Sequence, residues 1–277
     1  MNVADAIRAA TARLAETSDT ARLDAELLMA HALGAGRSEM LLRAMRDNEP
    51  PGFARLVDRR AAHEPVAYIT GQTEFYGLEL AVAPGILIPR GDSEALIEAA
   101  RGEFEGRGSP GTILDLGTGS GALLLAAMSV FASASGVAVD RSETVRAVFQ
   151  ANAHAHASGR DVRFVLADWH AQGWTEKLGK FDLVLCNPPY VESDAALEPD
   201  VREFEPAGAL FAGKEGLDDY RVLIPKLRKL LNPGGIAIFE IGHTQADAVS
   251  EMAEKAGFSV NLVRDLANRS RGLTFHT

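Results

Sequence analysis

The chain has 277 residues, 47% hydrophobic and 24% charged, with a formal net charge of −10. That length fits one large domain or two modest ones, and the acidic balance argues against a broad, sequence-independent grip on nucleic acid, which needs a basic face. The single cysteine, Cys186, excludes an intrachain disulfide. No apolar run reaches membrane-spanning length and MNVADAIRAA has no apolar signal core, so a cytoplasmic protein is the expectation.

Residues 3 to about 63 read as helical throughout. Val3, Ile7, Ala10 and Leu14 recur at helical spacing, and Leu23, Leu27, Leu28 and Met29 form a second stripe ended near Gly34 and Gly36. Ser38 is placed to cap a third helix through Leu41, Leu42 and Met45. Pro50-Pro51 precedes a fourth helix carrying Phe53, Leu56 and Val57. This predicts a small helical bundle. Arg37, Arg43, Arg46, Arg55, Arg59 and Arg60 give it a basic bias, read as solvated surface charge in preference to a contact face for protein or RNA.

The texture then changes. Residues 72–82 (QTEFYGLELAV) alternate around Gly77 and predict a short β-hairpin. Ile86-Leu87-Ile88 stops at Pro89-Arg90. Asp92 or Ser93 then caps a helix from Ala95 to Phe104, with Glu94 in its first turn. Beyond the Gly/Pro/Ser-rich 106–111, strands are expected at 112–116, 136–139, 162–166, 181–186, 236–241, 259–264 and 273–276. Helices are expected at 121–131, 143–156, 218–231 and 244–256. Such alternation implies an α/β fold with a mostly parallel sheet covered on both faces. The boundaries drawn are a helical domain at 1–72, a linking hairpin at 73–88 and an α/β domain at 89–277.

Two strand exits carry chemistry. The first is Asp115-Leu116-Gly117-Thr118-Gly119-Ser120-Gly121. Its alternate glycines permit a tight turn and leave no Cβ between backbone and ligand, and the following helix offers free N–H groups. Asp140, ending the next strand, can accept both hydroxyls of a ribose. The G-x-G-x-G spacing is not the dinucleotide fingerprint, and the loop lacks the Lys-Ser/Thr ending of a phosphate loop. An acid ahead of the glycines suits a cationic amino-acid group, which points to S-adenosylmethionine. Asp168-Trp169, after the third strand, are candidates to bind the adenine amino group and to pack on the base.

The second exit is Asn187-Pro188-Pro189-Tyr190, directly after Phe181–Cys186. Two prolines stop the strand ladder and force the preceding residues into extended geometry. Asn187 brings an amide side chain, the turn brings fixed carbonyls, and Tyr190 brings a flat ring. Together they can accept hydrogen bonds from a planar –NH2 group at the sheet edge where α/β folds bind ligands. Asn187, Pro188 and Tyr190 are therefore the candidate catalytic residues, with Pro189 completing the substrate turn. Asn187 also falls within reach of the cofactor. Cys186 is read as core packing. Glu205-Pro206 either shapes a loop over the site or is a surface turn. Glu240 is open between lining the cleft and pairing with an arginine. His154 and His156 are two apart on a helix and do not share a face. The other histidines have no ligand spacing, so no metal is expected.

With these residues in view, the chain resembles the release-factor glutamine methyltransferases. The resemblance is carried by Glu64–Gly71, Glu74-Phe75, Ile88-Pro89-Arg90, Asp115–Gly121, Ala138-Val139-Asp140, Asp168-Trp169, Asn187–Tyr190 and Phe204-Glu205-Pro206. It departs from the family pattern at Gly91, Ser93 and 265–271. The resemblance implies a class I, Rossmann-like methyltransferase domain with a seven-stranded, mostly parallel sheet behind a helical substrate-recognition domain. It implies S-adenosylmethionine as methyl donor and N5 of the glutamine in the Gly-Gly-Gln motif of peptide-chain release factors as acceptor. A monomer with a protein substrate, and with no direct nucleic-acid or membrane partner, is expected. Three alternatives share the motif: a glutamine methyltransferase acting on a ribosomal protein, an adenine-N6 methyltransferase, and a non-catalytic S-adenosylmethionine-binding module.

Overall fold

Amphipathic spacing turns the first seventy residues into five helices: α1 (Val3–Leu14), α2 (Ala21–Leu33), α3 (Arg37–Arg43), α4 (Phe53–Ala61) and α5 (Val66–Thr70). In the computed structural model, which describes all residues 1–277, the chain divides into two units. One is Met1–Gln72 with Leu197–Phe204, and the other is Thr73–Ala196 with Glu205–Thr277. In the first unit, Asn2 caps α1 by accepting from the Asp5 N–H at 2.8 Å, worth about 1 kcal/mol. Val3, Ile7, Ala10 and Leu14 are buried against Leu28 and Met29 of α2. Two local expectations give way. Leu23 is exposed, because α2 buries Ala25, Leu28 and Met29 instead. Gly36, not Ser38, occupies the cap of α3, so Ser38 lies within its first turn.

The basic bias of this unit is largely balanced internally. Arg22 and Arg37 converge on buried Glu26, Arg43 pairs with Glu39, and Arg59 pairs with Glu64. Arg60 is buried with Asp24 at 2.7 Å and reaches Asp200 at 3.7 Å. Asp200 lies on α9 (Pro199–Phe204), a helix that was not expected from sequence and that groups with this unit although the chain returns to it from far away.

The second unit begins with the hairpin β1 (Gln72–Phe75) and β2 (Leu78–Ala81), followed by α6 (Glu94–Phe104), β3 (Thr112–Leu116), α7 (Ala122–Val130), β4 (Ser135–Asp140), α8 (Glu143–His156), β5 (Val162–Leu166) and β6 (Phe181–Cys186). After α9 come α10 (Asp218–Leu223), α11 (Leu227–Leu230), β7 (Leu231–Glu240), α12 (Ala246–Lys255), β8 (Ser259–Arg264) and β9 (Ser270–His276). The hairpin is more than a linker. Phe75 and Leu80 are buried, and the Asn152 side chain of α8 bonds both the N–H and the carbonyl of Ala81 at 2.7 and 3.0 Å.

The sheet runs β5-β4-β3-β6-β7-β9-β8, parallel except for β9, which is antiparallel to both neighbours. Alternation with period two assigns each strand residue to a face. Ile113, Leu183, Leu185, Ile236 and Ile238 pack with α6, α7 and α8. Leu114, Leu116, Val184, Cys186, Ala237 and Phe239 pack with α10, α11 and α12. Each fully buried Leu, Ile or Phe contributes about 1.5–3 kcal/mol of transfer free energy. Two expected elements differ most in extent. The helix expected at 218–231 breaks into α10, a 3-10 turn at Ile224–Lys226 and α11, because Pro225 has no N–H to continue the ladder. Strand β7 starts at Leu231, with a register irregularity opposite Phe181 to Leu183.

No helix is long and apolar enough to cross a membrane, and no group of three or more His, Cys, Asp or Glu is placed to hold a metal ion.

Candidate active site

Leu116 and Cys186 are partners in the β3–β6 ladder, so the next residues, Gly117 and Asn187, leave the sheet side by side at its carboxyl edge. The chain builds outward from β3 in both directions, which makes this a topological switch point, the usual site of ligand crevices in such sheets. A cavity of about 370 Å3 opens there, walled by Gly117, Gly119, Asp140, Asp168, Trp169 and Asn187 among others.

The glycine loop is tied to β4. The N–H groups of Gly117 and Thr118 donate to the Val139 carbonyl at 2.9 and 3.0 Å, and that of Gly119 donates to Asp140 Oδ2 at 3.3 Å. Asp140 Oδ1 accepts from the Ser142 N–H at 3.0 Å. Burial raises the Asp140 pKa, opposed by these amide donors. The remaining loop residues lie behind the wall. Thr118 and Ser120 are buried, and Ser120 gives its carbonyl to Asn152 Nδ2 at 2.8 Å. Gly121 faces the Phe149 ring. Asp115, expected to meet a cationic group directly, is buried beneath the loop. It accepts from the Thr118 hydroxyl at 2.6 Å through Oδ2, while Oδ1 has no partner. Burial pushes its pKa up to about 7, with the Thr118 bond opposing and the Asp140 charge adding.

After β5, Asp168 Oδ1 accepts from the His170 N–H at 2.9 Å. The Trp169 indole N–H donates to Asp219 Oδ1 at 2.6 Å, and the far edge of its ring lies over Gly117, where a Cβ would stand 3.1 Å away. Sequence reasoning missed Asp219, together with the wall residues His170, Arg141 and Phe211. Asp219 and Phe211 carry no local mark, since α10 and the segment at 205–212 reach the cavity only through the tertiary fold, whereas Arg141 and His170 directly follow the predicted Asp140 and Trp169.

Of the four turn residues, Asn187 and Pro189 stand on the cavity wall, and Pro188 is buried behind them. The Asn187 side chain makes no hydrogen bond within the chain. Tyr190, expected to lay its ring on a substrate amide, is not on the wall. Its hydroxyl donates to Glu240 Oε1 at 3.1 Å, and its carbonyl accepts from Gln245 Nε2 at 3.0 Å. The turn leaves through Val191, whose N–H donates to Leu210 at 2.8 Å. Glu240 is fully buried and accepts a second bond, from Ser93 Oγ at 2.5 Å. It therefore neither lines the cleft nor makes a direct arginine pair. Burial raises its pKa, opposed by Ser93, the nearby Arg271 charge and Tyr190. Burial and Glu240 together raise the Tyr190 phenol pKa far above its ordinary value. Cys186 is buried and its thiol pKa is pushed up, so it is no nucleophile. Glu205 accepts from Arg90 Nη2 at 2.5 Å and from the Ile88 N–H at 3.3 Å, and so joins two of the sequence motifs. The stretch after it adds Pro206, Gly208 and Phe211 to the wall, and Arg141 Nη2 donates to the Gly208 carbonyl at 3.0 Å.

Comparison with known proteins settles the family. Residues 5–71 match the model described as the PrmC N-terminal domain, and residues 108–266 match a methyltransferase domain. A release factor glutamine methyltransferase of Burkholderia pseudomallei is 38% identical over 281 residues, covering 98% of this chain and 97% of that protein. Another, of Rhodospirillum rubrum, is 38% identical over 258 residues, covering 91% and 78%. The chain belongs to the release factor glutamine methyltransferase family. A methyltransferase structure from Pyrococcus furiosus, 20% identical, superposes with a TM-score of 0.53 over 80% of this chain and 96% of that one, which places the second unit in the Rossmann-like methyltransferase fold.

The cofactor of a methyltransferase of this family is S-adenosylmethionine, and the residues present fit it. Gly119 borders the cavity with no protein atom within 4 Å of the position a Cβ would take, which leaves room for a ligand against bare backbone. Asp140 and Trp169 place a carboxylate and an aromatic ring on the same wall, groups of the kind a nucleoside needs. Asp115 Oδ1, beneath the loop, is a buried polar atom with no partner in the chain, an acceptor left open on this side of the cavity loop.

Proposed function

We propose that this chain transfers the methyl group of S-adenosylmethionine to N5 of the glutamine in the Gly-Gly-Gln motif of a peptide-chain release factor. The observation that carries the reading is the placement of Asn187, with its side-chain amide unbonded, on the same cavity wall as Gly117 and Gly119. In this reading Gly117, Gly119, Asp140, Asp168 and Trp169 hold the donor. Asp115, Thr118, Ser120 and Gly121 shape the loop from behind. The bound donor supplies an electrophilic methyl carbon on a sulfonium sulfur.

A carboxamide nitrogen is a poor nucleophile, because its lone pair is delocalised into the carbonyl. The Asn187 side-chain oxygen accepts one N–H of the substrate amide at the cavity wall, and the main-chain carbonyl of Pro188, buried in the same turn, is the acceptor assigned to the second. That aims the nitrogen and stabilises positive charge growing on it until one of its two protons is released to water, leaving a neutral secondary amide, so orientation and preorganised acceptors supply the rate. Tyr190 fixes the turn through its hydroxyl and its carbonyl. The helical unit is the recognition module for the release factor, and the enzyme works as a cytoplasmic monomer.

The test is mass spectrometry of a purified release factor after incubation with the enzyme and S-adenosylmethionine, with a ribosomal protein and an adenine-containing oligonucleotide as parallel substrates. A single added methyl on the Gly-Gly-Gln glutamine is expected. Methylation confined to either parallel substrate would overturn the assignment.

A further inference from the structure

We propose that Asp219 is the positioning residue of the cofactor cavity: its carboxylate holds the Trp169 indole in the one orientation that makes it a wall for the adenine base. The inference rests on reading this cavity as the S-adenosylmethionine site.

A tryptophan on a loop has two free side-chain torsions, and its ring makes a binding wall only if both are fixed. Here the indole is held at both ends. Its N–H donates to Asp219 Oδ1 at 2.6 Å, and the opposite edge, Cη2 and Cζ3, abuts the backbone of Gly117, where a Cβ would lie 3.1 and 3.2 Å away. A charged acceptor makes that bond roughly twice as strong as a neutral one. The same oxygen lies 3.1 Å from His170 Nε2, so two consecutive wall residues share one acceptor. Trp169, His170 and Asp219 all border the cavity.

Asp219 is itself well anchored. It is 6% exposed, and its neighbour Tyr220 is fully buried and donates its hydroxyl to the Glu240 carbonyl at 2.8 Å. Positioning groups work when their own support is rigid, and the core cluster supplies that rigidity. A carboxylate is seldom buried without partners. This one spends its capacity on two side chains that face the ligand, not on capping or on an arginine.

The chain contains only two tryptophans, Trp169 and Trp174, so Trp174→Phe leaves Trp169 as the sole indole reporter. In that background, S-adenosylhomocysteine should change Trp169 emission on binding. Adding Asp219→Asn should shift the unliganded emission to the red, increase quenching by acrylamide, and weaken S-adenosylhomocysteine binding by about tenfold in calorimetry. With Trp169→Phe, which has no N–H to hold, Asp219→Asn should change the Kd by less than about twofold. Trp169→Phe alone, which leaves Asp219 in place, should weaken binding at least as much as Asp219→Asn.

Unchanged emission and Kd in Asp219→Asn would overturn the proposal while leaving the cavity assignment standing. So would an equal loss in both tryptophan backgrounds, the signature of a purely structural role. A Trp169 emission that ignores saturating S-adenosylhomocysteine would overturn the cavity assignment and the proposal with it.

Discussion

Two glycines in one loop should fail in opposite ways. Gly119 has φ of +54° and Gly121 has φ of +89°. An alanine at either position therefore pays the left-handed penalty, about 1–2 kcal/mol. Their surroundings then separate them. A Cβ on Gly119 meets no protein atom within 4 Å, and the residue borders the cavity. Gly119→Ala should thus lose only that strain, but it puts a methyl group where the ligand approaches the backbone. Overpacking of about 1–3 kcal/mol predicts S-adenosylhomocysteine binding weaker by about 5- to 150-fold. A Cβ on Gly121 stands 2.8 Å from Phe149 Cδ2 and 3.2 Å from Leu125 Cδ1, both buried. Strain plus overpacking makes Gly121→Ala about 2–5 kcal/mol less stable, a large part of an ordinary domain's margin of about 5–15 kcal/mol. Its folded fraction should still bind near normally. Urea denaturation followed by circular dichroism gives the stabilities, and calorimetry with S-adenosylhomocysteine gives the affinities. If Gly119→Ala bound like the parent, or if Gly121→Ala lost affinity while keeping its stability, the placement of the donor against Gly119 would be wrong.

Asn187→Ala should leave S-adenosylhomocysteine affinity largely intact and lower single-turnover methylation at least ~100-fold; rapid-quench assays decide it, and near-normal turnover would remove Asn187 from the mechanism. Tyr190→Phe deletes the bond to Glu240 and should cost about 1 kcal/mol in urea denaturation. A decline in methyl transfer without loss of cofactor affinity is expected alongside it, and unchanged transfer would show that the turn needs no such tether. Asp115 gives a pH signature. An unfolded aspartate titrates near 3.9 and the folded one near 7, so between those values the folded chain holds a proton that the unfolded chain has lost. Its contribution to stability therefore falls as pH rises from ~4 to ~7, by at most about 4 kcal/mol. Asp115→Asn abolishes this slope, so the variant's urea midpoint should gain on the parent's across that window; parallel curves would refute a neutral buried carboxyl.

Much of the sheet was legible because its strands are apolar runs bounded by Gly, Pro or polar turns. The runs at 112–116, 162–166, 181–186 and 259–264 match β3, β5, β6 and β8 end to end. The glycine loop and the Asn187 turn were legible because each follows such a strand. What escaped depends on distant partners. α9 has no buried residue of its own and meets Arg60 from far along the chain. Ser93 looks like a helix cap, yet its hydroxyl is drawn to Glu240, and Asp92 is drawn to Arg271. Asp219 reads as one acid among several at the start of a short helix, and only the fold brings it to Trp169. Tyr190 shows the same limit: the ring was visible in the sequence, but the buried carboxylate that turns it away from the cavity was not.

The place of β6 in the sheet has a consequence for how a substrate is captured. It is the fourth of seven strands, flanked by β3 and β7, and it hands the chain directly to Asn187. Amides in such a central strand exchange with solvent only when the whole domain opens, so the backbone that delivers Asn187 is a fixed platform on the time scale of catalysis. On the reading proposed above, the main chain of this turn does not move to seat a glutamine, and the adjustment falls to the Asn187 side chain and to the loop of the incoming polypeptide.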